Sequence, residues 1–202
     1  MNRCVVQTLF SKVFYTNILD VDCEKVISLI NEDFIEVEPN NKKSSSSSIS
    51  KQVLEKKKFK FLKNKIMEEF NSYNKEFLKY ENKFRLATSW FTKTKPNEDC
   101  FYHCHSNCMI SGVLYLQTDV NSGYIQFEDY SPTRFLVEPT EYNIYNSRSW
   151  TFEPKNGMII FFPSECYHKI LKNNSNILRY SLAFNFVPTG HIGRTDSYLH
   201  LK

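Results

Sequence analysis

The sequence predicts a mainly β protein with flanking helices, built as an antiparallel sandwich or jelly roll. Three observations carry that expectation. From residue 84 onward short apolar runs recur at near-even intervals: FRLATSWF, LYLQ, YIQFED, RFLVEP, WTFEP, MIIFFP, YHKIL and LRYSLAFNFV. Turn-forming stretches separate them, among them Asn121-Ser122-Gly123, Ser131-Pro132, Pro154-Lys155-Asn156-Gly157 and KNNSN at 172–176. The chain holds 17 Phe and 12 Tyr, many beside β-branched residues, which favours a pleated, half-buried surface. Many short strands between regular turns are the mark of two facing antiparallel sheets.

The N-terminal part reads differently. Residues 5–15 (VVQTLFSKVFY) have the character of an entering strand. Asp20 or Asp22 can cap a helix over CEKVISLI, whose apolar residues recur at helical spacing. A flexible surface insertion is expected at about 38–50, where five consecutive serines follow Asn-Asn-Lys-Lys and nothing apolar is available to bury. Residues 51–82 read as a second helix, with Ile66, Phe70, Tyr73, Phe77 and Tyr80 on one stripe. Its seven lysines between Lys51 and Lys65 read as a solvated face, so nucleic-acid binding is not strongly indicated. The expected organisation is a single domain over 1–202, helical at about 20–82, with a jelly-roll core at about 84–190.

A chain of 202 residues suffices for one sizeable core. The formal charge of +4 is too mild to name a partner. No apolar run approaches the length of a membrane span, and the first residues lack a signal-peptide core. The expectation is a soluble, reduced, cytoplasmic protein.

The candidate chemistry lies in FYHCHSNCMISGVLY. His103 and His105 are one residue apart, so an extended strand projects both imidazoles from one face. His168 ends another apolar run. Three imidazoles at strand ends with open positions suit Fe(II), Zn or Cu. Cys100, Cys104, Cys108 and Cys166 offer a competing structural zinc site. Arg179 and Ser181 share a strand face, and a guanidinium fork beside a hydroxyl is a socket for a carboxylate. Asn107 is either a site residue or a turn residue. Trp90, Trp150 and Tyr130 are either pocket-lining or packing residues.

These residues together resemble the iron(II)- and 2-oxoglutarate-dependent oxygenases. The resemblance rests on His103-x-His105, SGVLYL at 111–116, Gly123-x-x-QFED and Pro154-x-x-Gly157. It continues through FFPS at 161–164, Tyr167-His168 and Arg179-x-Ser181-x-x-Phe184-Asn185. It is nearest to a group from bacteria and marine phages whose signature runs HxHxN, SGVxYL, FxDP, FPSxxxH, RxSxxFN. The tail PTGHIGRTDSYLHL is also similar to phage members. The match covers residue 89 to about 199 and departs where Tyr130 and Ser131 separate Asp129 from Pro132.

The resemblance implies a double-stranded β-helix with iron at the barrel mouth. His103, His105 and His168 are the expected metal ligands. Arg179, Ser181 and Tyr115 are expected to hold the 2-oxoglutarate co-substrate. The wider superfamily places an acid where His105 stands, so three options remain: His105 as a neutral ligand, water, or a carboxylate such as Asp129. The implied activity is hydroxylation with release of succinate and CO₂, ascorbate being a candidate auxiliary. A non-catalytic jelly-roll module is the rival. The substrate is not legible: a protein side chain, a nucleobase and a small metabolite all fit.

Overall fold

The structure, a computed structural model, describes residues 5–30, 44–131, 135 and 137–202. Strands β1 (Tyr15–Ile18), β2 (Ser46–Ser47), β3 (Phe84–Thr94), β5 (Ile110–Gln117), β8 (Met158–Pro163) and β10 (Arg179–Pro188) form one sheet in the order β1-β8-β5-β10-β3-β2. A second sheet has the order β4-β9-β6-β7, from β4 (Cys100–His103), β6 (Ile125–Glu128), β7 (Ser149–Phe152) and β9 (Tyr167–Ile170). A hairpin of β11 (Gly190–Ile192) and β12 (Leu199–Leu201) follows. All paired strands are antiparallel. The fold is the expected jelly roll.

Side-chain alternation along the strands builds two cores. On the outer face of the larger sheet, Phe91, Leu114, Leu116, Ile159, Phe161, Leu182, Phe184 and Phe186 pack against the helices α1 (Cys23–Ile30) and α2 (Lys60–Tyr73). Val26 and Ile30 of α1, and Leu62, Ile66, Phe70 and Tyr73 of α2, supply the helical side. On the inner face, Val113, Tyr115, Ile160 and Phe162 meet Ile125 and Phe127 of the second sheet. The inner core is the barrel interior, and the site lies within it. Of the two candidate caps, Asp22 starts α1: its Oδ1 accepts the Lys25 N–H at 2.9 Å.

Gly112 marks the tightest approach in the larger sheet. A Cβ there would lie 2.3 Å from Phe184 Cε2 and 2.9 Å from the Ile160 carbonyl oxygen. Gly112→Ala is therefore expected to cost about 1–3 kcal/mol by overpacking, read as a lower urea midpoint with unchanged slope.

Several expectations are corrected. Of the insertion expected to be flexible at about 38–50, residues 38–43 lie outside the described residues, but the serines that follow are built into the sheet. Ser46 and Ser47 pair with Lys93 and Thr92, and Ser48 is fully buried. Ser48 Oγ accepts the Phe91 N–H at 3.1 Å and donates to the Ser50 carbonyl at 2.9 Å. Hydroxyls meeting backbone groups replace apolar burial as the ordering force there.

Residues 5–14 form no strand; regular pairing begins at Tyr15. The second helix opens as two 3₁₀ turns (Val53–Glu55, Lys57–Phe59) and ends in a π-turn (Asn74–Leu78), with Lys79 left-handed at φ 58°. The wider turn moves Phe77 off the buried stripe, leaving it and Tyr80 exposed. Of RFLVEP, 134 and 136 lie outside the described residues, and the others form no strand.

Candidate metal and co-substrate site

His103 ends β4 and stands directly opposite His168 of β9 in the ladder. Their ring centroids are 4.4 Å apart. The strand stops at His103, so the face shared with His105 is not a strand face. His105 is brought in instead by its N–H, which donates to the Ser164 carbonyl at 2.9 Å. Its ring lies 5.2 Å from His103 and 5.1 Å from His168. One ligand atom from each of the three lies within 4.8 Å of the others, and no other such group forms among the described residues.

The rings are also oriented. His103 Nδ1 lies 2.9 Å from the Phe101 carbonyl oxygen and His168 Nδ1 lies 3.0 Å from that of Cys166. A carbonyl fixes Nδ1 as the donor and leaves the Nε2 lone pair bare, as a metal ligand requires. Aromatic walls surround the group: Phe162 and Phe127 lie 4.9 and 5.5 Å from His168, and Trp90 lies 5.6 Å from His105. Burial, and then the charge on His103, pushes His105 down to about 4 and His168 down to about 3. Both are neutral, ligand-ready imidazoles at pH 7.

That neutrality has a cost in acid. A free histidine protonates near pH 6.5. Below that pH the unfolded chain takes up protons that the folded, metal-free protein refuses until about pH 4 at His105 and about 3 at His168. The unfolded state then binds more protons, so stability falls as pH drops through this window. The melting temperature of metal-free protein is expected to fall between pH 6.5 and 4 more steeply than that of His168→Ala.

Deeper in the barrel lies Arg179, 1% exposed. Its Nη1 donates to the Gly123 carbonyl at 3.1 Å, while its Nε has no partner. The Tyr115 hydroxyl is likewise buried and unpartnered, and its ring centre lies 6.0 Å from the guanidinium carbon. Burial lowers the arginine from its ordinary value and raises Tyr115 to about 12, so the phenol is a neutral donor. Ser181 stands opposite Tyr115 in the ladder. Among the described residues no carboxylate pairs with Arg179. A buried cation and an unmet hydroxyl together form a receptor for an anion, since either alone is costly to leave unpaired. The residues present therefore fit both groups: three neutral imidazoles for a divalent transition metal, and a guanidinium with a phenol for a diacid.

Gly123 is the contributor that sequence reasoning passed over. It reads as a turn residue and as part of the Gly123-x-x-QFED resemblance, with no role of its own, yet its carbonyl accepts from Arg179. Its φ is +82°, and a Cβ would lie 2.0 Å from the Leu171 carbonyl oxygen.

The other candidates go elsewhere. Cys100, Cys104, Cys108 and Cys166 do not assemble as ligands; all are free, and burial pushes Cys166 up to about 11. Asp129 is outside the histidine group; its Oδ1 accepts from Ser131 N–H at 3.0 Å and Oγ–H at 2.6 Å. Asn107, with φ 60°, is a turn residue. Tyr130 packs on Tyr102 and Tyr167. Trp150 lines a cavity of about 520 Å³ with Phe14, Phe127, Phe152 and Cys166.

A jelly roll bearing three convergent histidines and a buried arginine offers ligands for a metal ion and a socket for an anion. Residues 88–185, from β3 to β10, match the model of the family described as "Putative 2OG-Fe(II) oxygenase". This segment contains every residue of the site. No curated protein matches the chain. Solved structures share the fold. A prolyl-4-hydroxylase from Pseudomonas putida is 15% identical with a TM-score of 0.60, covering 88% of this chain and 93% of its own. HygX from Streptomyces hygroscopicus, solved with nickel, 2-oxoglutarate and hygromycin B, is 10% identical with a TM-score of 0.62 (87% and 83% covered). The viral collagen prolyl hydroxylase of Paramecium Bursaria Chlorella virus-1, in its 2OG complex, is 12% identical with a TM-score of 0.56 (86% and 94% covered). Among the described residues no helix is long and apolar enough to cross a membrane.

Proposed function

We propose that this chain is an Fe(II)- and 2-oxoglutarate-dependent dioxygenase that hydroxylates an organic substrate. In this reading His103, His105 and His168 hold the iron, while Arg179, Ser181 and Tyr115 hold the far carboxylate of 2-oxoglutarate. The observation that carries it is the pairing, in one barrel, of three convergent imidazoles with a buried arginine whose Nε has no partner. Bound Fe(II) with 2-oxoglutarate supplies oxidation of a C–H bond by dioxygen, coupled to decarboxylation of the co-substrate to succinate and CO₂.

The protein's part is positioning and exclusion of water. The Phe101 and Cys166 carbonyls hold two imidazoles in the ligand tautomer. Phe127, Phe162 and Trp90 pack around the rings and keep solvent away. The Gly123 carbonyl orients the guanidinium, and the Tyr115 hydroxyl donates to the same anion. A ligand set of three neutral imidazoles leaves both positive charges of the metal to be balanced by bound anions. The dicarboxylate is therefore expected to tighten metal binding more here than in a site that carries its own carboxylate.

The proposal also takes the chain to act as one domain. The substrate stays at the level of an unidentified C–H donor. Purified protein, loaded anaerobically with Fe(II) and 2-oxoglutarate and then exposed to air, is expected to release succinate in an iron-dependent manner. Absence of iron-dependent succinate, with or without candidate substrates, contradicts the reading.

A further inference from the structure

The chain has five histidines, and three of them form the site above. The other two, His191 and His200, are not scattered over the surface. They stand directly opposite each other in the C-terminal hairpin β11–β12. Their rings stack with centroids 4.5 Å apart and planes 26° from parallel. Tyr198, which follows the 3₁₀ turn Thr195–Ser197 and precedes β12, stacks on His191 at 5.0 Å. Its hydroxyl hydrogen-bonds His191 Nδ1.

We propose that this pair is a second, surface transition-metal site, taking a borderline divalent ion such as Zn(II), Ni(II) or Cu(II). Four features support it. Cross-strand register brings two imidazoles within reach of one ion, and because the rings stack, a side-chain rotation must turn one lone pair toward the other on binding. The Tyr198 hydroxyl engages Nδ1 of His191, and in the tautomer where it accepts from Nδ1–H the Nε2 lone pair is free for an ion. Both histidines are exposed, so remaining coordination positions are open to water and desolvation is slight. The donors are imidazole nitrogens without a carboxylate, which selects these metals over Mg(II) or Ca(II).

The hairpin is also fixed in place. Asn82 Nδ2 donates to the Thr189 and His191 carbonyls at 3.0 and 2.9 Å, and Arg85 Nε donates to the Lys202 carbonyl at 3.1 Å. At the turn, Gly193 has φ +79°, and a Cβ would lie 2.1 Å from the Ser197 carbonyl oxygen. An ion held by both strands would tie the hairpin together. The inference does not depend on the activity proposed above.

The test is calorimetric titration of the full-length, metal-free protein with Zn(II). Two classes of site are expected. His191→Gln with His200→Gln should remove the weaker class and spare the tighter, while His168→Ala should do the reverse. Retention of both classes by the double variant overturns the proposal, as does a parent protein showing only the class that His168→Ala removes. Should the double variant fail to fold, the parent gives the same reading by diethyl pyrocarbonate modification. Zn(II) should slow modification of His191 and His200 at least about tenfold, and an unchanged rate overturns the proposal.

Discussion

His168→Ala is expected to abolish iron-dependent succinate release while leaving the fold intact. His168 is 4% exposed, opposes His103 in the ladder and lies against both other imidazoles. Loss of an outer partner of a metal ligand typically costs 10–100-fold in affinity, so loss of a ligand itself should cost about 100-fold or more. Fe(II) affinity by competition with a chelator checks the magnitude. The metal-free variant should also resist acid better than the parent, because one buried neutral imidazole has gone. A variant that is simply unfolded shows neither pattern.

The second large effect is at Arg179. Arg179→Met removes the buried guanidinium while keeping an unbranched apolar side chain. Losing a charged hydrogen-bond partner for a carboxylate costs about 2–5 kcal/mol, or roughly 30- to 5,000-fold in kcat/KM for 2-oxoglutarate. Fe(II) binding in the absence of co-substrate should be unchanged. The metal-free protein should be as stable as the parent or more so, since a desolvated cation without a counter-charge destabilises the empty barrel. Arg179→Lys should not rescue, because an ammonium cannot present the same planar fork. Measuring KM for 2-oxoglutarate together with the urea midpoint separates this role from a structural one. A structural arginine loses stability on substitution, whereas this one is expected to lose co-substrate binding alone.

The parts legible in the sequence are those set by local alternation. In LRYSLAFNFV the large apolar residues at 182, 184 and 186 face the helices, which forces Arg179 and Ser181 to the barrel interior. The same alternation in ISGVLYLQ puts Tyr115 inside and Leu114 outside. The convergence of His103, His105 and His168 is foreshadowed by spacing, but by a different route. The strand ends at His103, and His105 is placed by a long-range bond to Ser164.

What stayed hidden depends on partners distant in sequence. Ser46–Ser48 look unstructured because their order comes from Phe91, Thr92 and Lys93. Phe77 leaves its predicted stripe because a π-turn, which no apolar period encodes, intervenes. Asp129 looks available to a metal, but the folded chain places it outside the histidine group, with Ser131 on its Oδ1. The Gly123 carbonyl has no side-chain signal at all. Its role exists only once β5, β6 and β10 are assembled.

The most direct test is an anomalous-scattering map of crystals soaked anaerobically with Fe(II) and 2-oxoglutarate. The expected result is a single barrel peak within coordination distance of His103, His105 and His168, with the far carboxylate of the co-substrate on Arg179 and Tyr115. Iron bound away from these imidazoles, or a co-substrate carboxylate that leaves the Arg179 Nε unpaired, would contradict it.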